Sequence, residues 1–281
     1  MGEREVEELR RRLEELSRRV PGDEAQLLRA LRARGLQLHR RDPKEEILLP
    51  AEAPEEASSA FYEQMKRYSF RLFLRDMISK GEAFVPEDLT RYCSLQVVKR
   101  YLRFLEEIEV IKKEGETYHL LKPSIHSFGP TLEWFIAEVF KRELGSFACY
   151  GVRFRGRPPG GDYDVIALWE GNLIYVEIKS SPPRGIEQGE IRTFFKRLKA
   201  LLPACALLLN DTHLRMKDKI VQMFEDEIAR PTPSLQRLSG ELFHLRHRIY
   251  ILNSKKDLVK NLITCLRDFL LFQTIPSELL P

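Results

Sequence analysis

The spacing of hydrophobic and polar residues changes twice along the chain. Up to about residue 50, apolar residues recur every three or four positions among charged ones, which is typical of amphipathic helices. Over residues 60–122 the same spacing predicts three helices and then a two-stranded hairpin. From residue 129 onward, short apolar runs alternate with helical patterns, which predicts an α/β domain with a central mixed sheet. The predicted helices cover 3–19, 24–34, 61–79, 87–92, 95–108, 131–144, 190–202, 214–228 and 256–272, and the predicted strands cover 110–113, 117–121, 148–154, 162–169, 173–179, 205–209 and 248–252.

A short segment rich in proline, alanine, acids and serine interrupts these patterns. It reads Pro-Ala-Glu-Ala-Pro-Glu-Glu-Ala-Ser-Ser, a composition typical of a linker. We therefore predict four units along the chain. They are a helical N-terminal extension (1–49), the linker (50–59), a small helical unit with a hairpin (60–122) and the α/β domain (123–281).

The composition is that of a water-soluble globular chain. Of 281 residues, 43% are hydrophobic and 31% charged, and the net charge is +4. No apolar run approaches the ~20 residues of a membrane-spanning helix, and the charged N-terminus does not read as a secretory signal. We expect a cytoplasmic protein without a membrane partner, its four cysteines reduced. The apolar seam from Val6 to Leu16 offers a homodimer contact, with packing on the same chain as the alternative.

Three charged residues stand out because they lie on two otherwise apolar strands. A two-residue loop at 171–172 predicts that Asp164 lies opposite Lys179 and that Ile166 lies opposite Glu177. Side chains alternate along a strand, so Asp164, Glu177 and Lys179 would share one face. Buried charges are costly unless they are paired or bind an ion, and carboxylates suit Mg²⁺. With a lysine to orient or deprotonate the attacking water, or to stabilise charge developing on the phosphate, the pattern predicts metal-assisted phosphodiester cleavage.

These residues resemble a known nuclease signature. Asp164, followed thirteen residues later by Glu177-Ile178-Lys179, looks like the PD-(D/E)xK motif of the restriction-endonuclease-like superfamily. The surrounding residues are similar to those of archaeal Holliday-junction resolvases and Mrr-like nucleases, over about residues 129–228. The resemblance implies a restriction-endonuclease-like α-β-β-β-α-β core. It also implies that Asp164 and Glu177 hold Mg²⁺ or Mn²⁺, with the Ile178 carbonyl as a further ligand.

The same families carry another acid on the helix before the motif. The segment Gly-Pro-Thr-Leu-Glu supplies Glu133 at that place, and Glu138 on the same helix is the alternative. The resemblance therefore implies a catalytic set of Glu133, Asp164, Glu177 and Lys179. One departure is Tyr163, which stands where the family usually has the proline of the motif.

Basic residues indicate where a nucleic acid would bind. The order of elements over 60–122 resembles a winged helix-turn-helix, whose third helix enters the major groove. Arginines at alternate positions before the motif are suited to contacting phosphates. Many winged helices bind only proteins, and glutamates offset the basic residues on the third helix, so an adaptor role is the alternative. The candidate nucleic-acid-binding residues are Lys99, Arg100, Arg103, Arg153, Arg155 and Arg157.

The sequence thus predicts a Mg²⁺-dependent DNA endonuclease acting in repair, recombination or defence. Two alternatives stay open. One is a DNA-binding regulatory or adaptor protein whose nuclease-like part does not cleave, and the other is a ribonuclease.

Overall fold

The computed structural model describes residues 22–81, 83–156, 161–228 and 234–273. Within these ranges the chain is a mixed α/β structure. The helices are α1 (Asp23–Arg32), α2 (Glu55–Met65), α3 (Tyr68–Lys80), α4 (Leu95–Glu107), α5 (Gly129–Leu144), α6 (Gln188–Leu201), α7 (Gln222–Glu227) and α8 (Leu258–Leu271). The predicted helix at 3–19, with its seam from Val6 to Leu16, lies outside the described residues.

Two sheets organise the described chain. The strands are β1 (Leu38–Arg40), β2 (Ala83–Phe84), β3 (Ile111–Glu114), β4 (Thr117–Leu120), β5 (Phe147–Phe154), β6 (Tyr163–Trp169), β7 (Asn172–Lys179), β8 (Cys205–Asn210), β9 (Gln236–Ser239), β10 (Leu242–Leu245) and β11 (Ile249–Asn253). Eight strands form a sheet in the order β1-β5-β6-β7-β8-β11-β10-β9, and β2-β4-β3 form the other. The large sheet is mixed, because β7, β8 and β11 run parallel while its remaining pairs are antiparallel.

The centre of the large sheet is buried on both faces, which explains why β7 and β8 are almost continuously apolar. Alternate residues contribute to two hydrophobic clusters. Val176 packs in the cluster that contains Phe135 of α5, and Tyr175 packs in the cluster that contains Phe194 of α6. A charged side chain on the Tyr175 face of β7 therefore points toward α6. None of the described helices has the length and apolarity needed to cross a membrane.

The predicted linker is partly wrong, because α2 begins inside it at Glu55. Pro54 immediately precedes the helix, and Glu55 and Glu56 lie in its first turn. Proline and acids are favoured at helix N-termini, where they suit the free N–H groups and the dipole. The same composition therefore fits a helix start as well as a linker. The predicted helix at 61–79 is two helices, with a break after Met65.

The N-terminal extension is not wholly helical either. Residues 38–40 form β1, which pairs with β5 at the edge of the large sheet. The strand is only three residues long, so it carries no alternating pattern that a sequence analysis could detect. Farther along the chain, β9 and β10 were also not predicted. They extend the other edge of the sheet beyond β11.

Candidate active site

The β6–β7 hairpin turns one residue earlier than the sequence pattern predicts. Its two turn residues are Glu170 and Gly171, both with positive φ (48° and 71°), as in the type I′ turns that suit hairpins. Ile166 consequently pairs with Tyr175 and not with Glu177. The predicted register is wrong by two residues. A shift of two preserves the alternation of side chains, so the charged residues of the motif still project from one face.

Glu177 is the most enclosed charged residue of this face, with 2% of its side chain exposed. Its Oε2 accepts hydrogen bonds from the Tyr175 hydroxyl and from Nη1 of Arg197 (2.5 Å). Its Oε1 lies 3.1 Å from Nζ of Lys179, which in turn lies 2.6 Å from Oε1 of Glu190. Three donors thus fix the position of one carboxylate.

Asp164 and Glu133 approach this carboxylate from β6 and α5. Oδ2 of Asp164 accepts a hydrogen bond from the backbone N–H of Ile178 (2.6 Å), and Oδ1 lies 3.9 Å from Nη1 of Arg197. Glu133 accepts a hydrogen bond from the backbone N–H of Gly151 on β5. It lies close enough to the other two carboxylates for their charges to affect its pKa. Main-chain groups of neighbouring strands therefore hold both acids at the site.

Gly151 is required at its position on β5. Its φ is +55°, and a Cβ there would lie 2.8 Å from the Pro43 ring. Only glycine adopts this conformation without strain and leaves that space free. The backbone N–H that binds Glu133 thus depends on the absence of a side chain.

Burial and mutual repulsion dominate the electrostatics of the acids. Burial, followed by the charge of Glu177, raises the pKa of Asp164 to about 8. Burial, followed by the charges of Asp164 and Glu177, raises the pKa of Glu133 well above its ordinary value. Burial alone would lower the pKa of Lys179, but Glu177 and Glu190 outweigh it and the net shift is upward. The site therefore contains more acidic groups than Lys179 and Arg197 can neutralise.

The donor chemistry fits a divalent cation. Asp164, Glu177 and Glu133 offer carboxylate oxygens, which Mg²⁺ and Mn²⁺ prefer as ligands. The raised pKa values of Asp164 and Glu133 mark a deficit of positive charge that such an ion would correct. A depression of about 220 Å³ opens beside Glu177, and its other lining residues are Lys179, Gly189, Glu190, Thr193 and Arg197.

The arginines before β6 that were predicted to bind phosphate are not equally free to do so. Arg153 makes a bidentate ion pair with Asp162 (2.8 and 2.6 Å), so its guanidinium is already engaged. Arg155 is exposed, and its backbone N–H donates to the Gln37 carbonyl (2.7 Å). Arg157 lies outside the described residues. None of the hydrogen bonds or ion pairs described for Arg153 and Arg155 joins them to the acids of the site.

The basic residues of α4 are accessible. Lys99, Arg100 and Arg103 are all exposed. A cleft of about 480 Å³ lies between α4 and the β3–β4 hairpin, and it carries both signs of charge. Its charged lining residues are Glu87, Lys99, Arg103, Glu106, Lys113 and Glu116.

Arg197 is a residue of the site that the sequence did not single out, because Lys196 and Lys199 flank it and the three together look like a basic helix surface. Those two lysines are exposed, whereas the Arg197 side chain is 11% exposed. The helical spacing of the sequence could have indicated that Arg197 faces inward. Arg197 follows the buried Phe194 by three residues, which places it on the inward side of α6.

A second buried charge cluster joins α3 to the end of β8. Asp211 is fully buried, and it pairs with Arg71 (1% exposed) and Arg75. Arg71 also donates to the Met65 carbonyl (2.6 Å). The backbone N–H of Asp211 donates to the carbonyl of Lys179 (2.8 Å). This cluster therefore connects the helical unit before the large sheet with the strand that carries the candidate site.

Comparisons with known proteins inform the fold. No family model matches the chain, and neither does any curated protein. The crystal structure of protein VC1899 from Vibrio cholerae aligns with a TM-score of 0.51 at 14% identity, covering 86% of this chain and 62% of that one. Can2 from Sulfobacillus thermosulfidooxidans, in complex with cyclic tetra-adenylate (cA4), aligns with a TM-score of 0.46 at 11% identity, covering 86% and 60%. The chain spans less than two thirds of either structure. The likeness to VC1899 supports the mixed α/β fold and nothing beyond it.

Proposed function

We propose that the chain is a metal-dependent endonuclease that hydrolyses phosphodiester bonds in DNA. The observation that carries this proposal is the convergence of Glu133, Asp164, Glu177 and Lys179 from three elements on one partly buried place. Carboxylate oxygens that can hold a metal ion and a charged lysine are the groups that such chemistry requires.

The order of elements supports the same assignment. From α5 through β5, β6 and β7 to α6 and β8, it matches the α-β-β-β-α-β core of the restriction-endonuclease-like superfamily. We propose that fold for residues 129–228. For residues 60–122 we propose a winged helix, in which α4 is the recognition helix and the β3–β4 hairpin is the wing.

The residues of the site would divide the work as follows. Asp164 and Glu177 would hold Mg²⁺, with Glu133 beside them and the Ile178 carbonyl as a further ligand. When bound, the ion polarises a phosphoryl oxygen and stabilises developing negative charge. Tyr175 and Arg197 hold the Glu177 carboxylate in place.

Lys179 would act as a cation and not as a base. Its pKa is raised above its ordinary value, so it stays protonated at neutral pH. Glu190 and Glu177 direct its ammonium group toward the depression beside the site. From there it would donate hydrogen bonds to the attacking water or to a phosphate oxygen.

A nuclease panel tests the proposal. Supercoiled, linear, single-stranded and branched DNA, and one RNA, are incubated with the protein and Mg²⁺ or Mn²⁺. We expect wild-type cleavage of DNA and a loss of at least about 100-fold in Lys179→Ala and Asp164→Asn. Lys196 is an exposed lysine on the same helix as Arg197, so Lys196→Ala is the matched control and should retain activity. Equal activity in wild type and Lys179→Ala would overturn the assignment.

One observation favours a second candidate, a DNA-binding adaptor. Arg197 and Lys179 both form ion pairs with Glu177, and such pairs also occur in proteins where the charges only stabilise the fold. In that case the protein binds DNA and does not cleave it with either Mg²⁺ or Mn²⁺. Binding would then be lost in Lys99→Ala with Arg100→Ala and kept in Asp164→Asn. Cleavage of RNA alone in the panel would instead indicate a ribonuclease.

A further inference from the structure

His244, His247 and Asp268 form a cluster that shares no residue with the candidate active site. One potential ligand atom from each lies within 4.8 Å of the others. Across the described ranges, no other group of three His, Cys, Asp or Glu side chains meets that spacing. Two imidazoles and a carboxylate so arranged are the usual protein ligands of a transition metal ion.

The backbone at the β10–β11 turn places the two imidazoles together. His244 lies on β10, one residue before the strand ends. In the turn that follows, Arg246 and His247 both have positive φ (51° and 52°). Two consecutive residues other than glycine in this conformation are uncommon. The turn brings the His244 and His247 rings to 3.9 Å between centroids. The backbone N–H of His247 also donates to Nδ1 of His244 (3.2 Å).

The carboxylate is oriented by two partners. Asp268 comes from α8, and its Oδ2 accepts a hydrogen bond from the Tyr250 hydroxyl (2.7 Å). The same oxygen lies 2.7 Å from Nδ1 of His247. The Tyr250 hydroxyl is the kind of outer contact that orients a ligating carboxylate in metal sites.

The cluster is enclosed but reachable. His244 is 4% exposed, while the side chains of His247 and Asp268 are 21% and 11% exposed. Phe272 stacks on the His247 ring with 3.3 Å between centroids. The partial exposure of His247 and Asp268 leaves the cluster open to solvent on one side.

We propose that His244, His247 and Asp268 bind Zn²⁺, with a fourth position open to water. Imidazole nitrogens suit Zn²⁺ better than Mg²⁺ or Ca²⁺, which prefer all-oxygen ligands. Ligands on tetrahedral Zn²⁺ lie roughly 3.3 Å apart for bonds of ~2.0 Å. Zn²⁺ bound by Nδ1 of His247 and Oδ2 of Asp268 would therefore replace their hydrogen bond and move these two atoms slightly apart. The ion would fasten the β10–β11 hairpin to α8.

The test uses the full-length protein after treatment with a chelator. Zn²⁺ binding is measured by calorimetry, and Co²⁺ serves as a spectroscopic substitute whose visible absorption reports imidazole ligation. We expect one tight ion per chain and a loss of affinity of at least about 100-fold in His247→Ala and in Asp268→Asn. Exposed His39 on β1 provides the matched control, and His39→Ala should bind as the wild type does.

Two results would overturn the proposal. One is a wild-type protein that gives no ligand-field absorption with Co²⁺, which needs no variant to interpret. The other is equal Zn²⁺ affinity in wild type, His247→Ala and Asp268→Asn, each checked for folding by circular dichroism. Asp164→Asn should leave Zn²⁺ binding intact, so the outcome is independent of the proposed nuclease activity.

Discussion

Two buried charge clusters in this molecule have opposite balances. Around Asp211, one carboxylate meets the two guanidinium groups of Arg71 and Arg75. Around Glu177, four carboxylates lie near two cations, Lys179 and Arg197. Both clusters lie at the end of the strands β7 and β8. They differ in charge composition, and the acid-rich cluster is also the more exposed of the two.

The pKa values report this difference. Burial acts to raise the pKa of Asp211, yet Arg71 and Arg75 outweigh it and the net shift is downward. In the other cluster burial and repulsion act together, and the pKa of Asp164 rises to about 8. In the cluster around Asp211 the cations outnumber the acid, and they keep the buried carboxylate ionised. For the acid-rich cluster around Glu177 we propose that a divalent cation supplies the missing positive charge.

The largest expected effect follows from breaking the arginine-rich cluster around Asp211. Arg71→Ala would leave Asp211 buried with only Arg75 as a charged partner. We expect the free energy of unfolding to fall by about 3–5 kcal/mol, measured by urea denaturation. A change below 1 kcal/mol would show that the cluster is not a major link between α3 and β8.

Removing a cation from the acid-rich cluster should have a smaller effect that a metal ion can reverse. Arg197→Gln removes the hydrogen bond from Nη1 to the Glu177 carboxylate, and we expect the free energy of unfolding to fall by about 1.5–3 kcal/mol in metal-free protein. Millimolar Mg²⁺ should restore part of this stability, since it replaces the missing charge. Mg²⁺ should not restore the stability lost in Arg71→Ala. Equal responses of the two variants to Mg²⁺ would contradict the comparison.

The two clusters should also respond oppositely to pH. An unfolded aspartate ionises near pH 4, whereas folded, metal-free Asp164 keeps its proton up to about pH 8. The folded state therefore binds more protons across this window, and its stability should fall as pH rises, by up to about 1.4 kcal/mol per pH unit. Asp211 has a lowered pKa, so its contribution is present above pH 4 and is lost on acidification.

Thermal unfolding in chelator from pH 4 to 8 measures this dependence. Asp164→Asn should flatten the decline in stability toward pH 8. A wild-type protein whose stability rises steadily over the same range, with Asp164→Asn unchanged from it, would show that the acid excess has no energetic effect.

The smallest effect is expected at the exposed ion pair between Arg153 and Asp162, whose side chains are 46% and 49% exposed. Arg153→Ala should change stability by less than about 1 kcal/mol, because solvent screens such pairs. It therefore serves as the control for Arg71→Ala in the same denaturation experiment. A larger loss would mean that ion-pair strength here does not follow burial.

The sequence predicted much of the α/β region because its signals are local. The apolar runs of β6, β7 and β8 and the period of α4 and α5 each lie within a short window, and their strands and helices are present. The face shared by Asp164, Glu177 and Lys179 depends only on alternation, so it survived a two-residue error in register.

What could not be predicted depends on contacts distant in sequence. Arg71 and Asp211 are 140 residues apart, and no local pattern announces their pairing. The strand β1 is too short to show alternation, and it exists because β5 offers an edge. Glu55 and its neighbours fit both a linker and a helix start, and the choice is made by the packing of Phe61 and Tyr62 into the core. The catalytic roles remain predictions.

The most direct test of the central claim is a count of divalent ions bound at the acid-rich cluster. Mn²⁺ binding is measured by electron paramagnetic resonance for wild type, Asp164→Asn, Glu177→Gln and Arg153→Ala at pH 8. We expect Mn²⁺ bound at this site in wild type and Arg153→Ala, and its loss in the two acid variants. Equal Mn²⁺ binding in all four proteins, or none in the wild type, would contradict the claim.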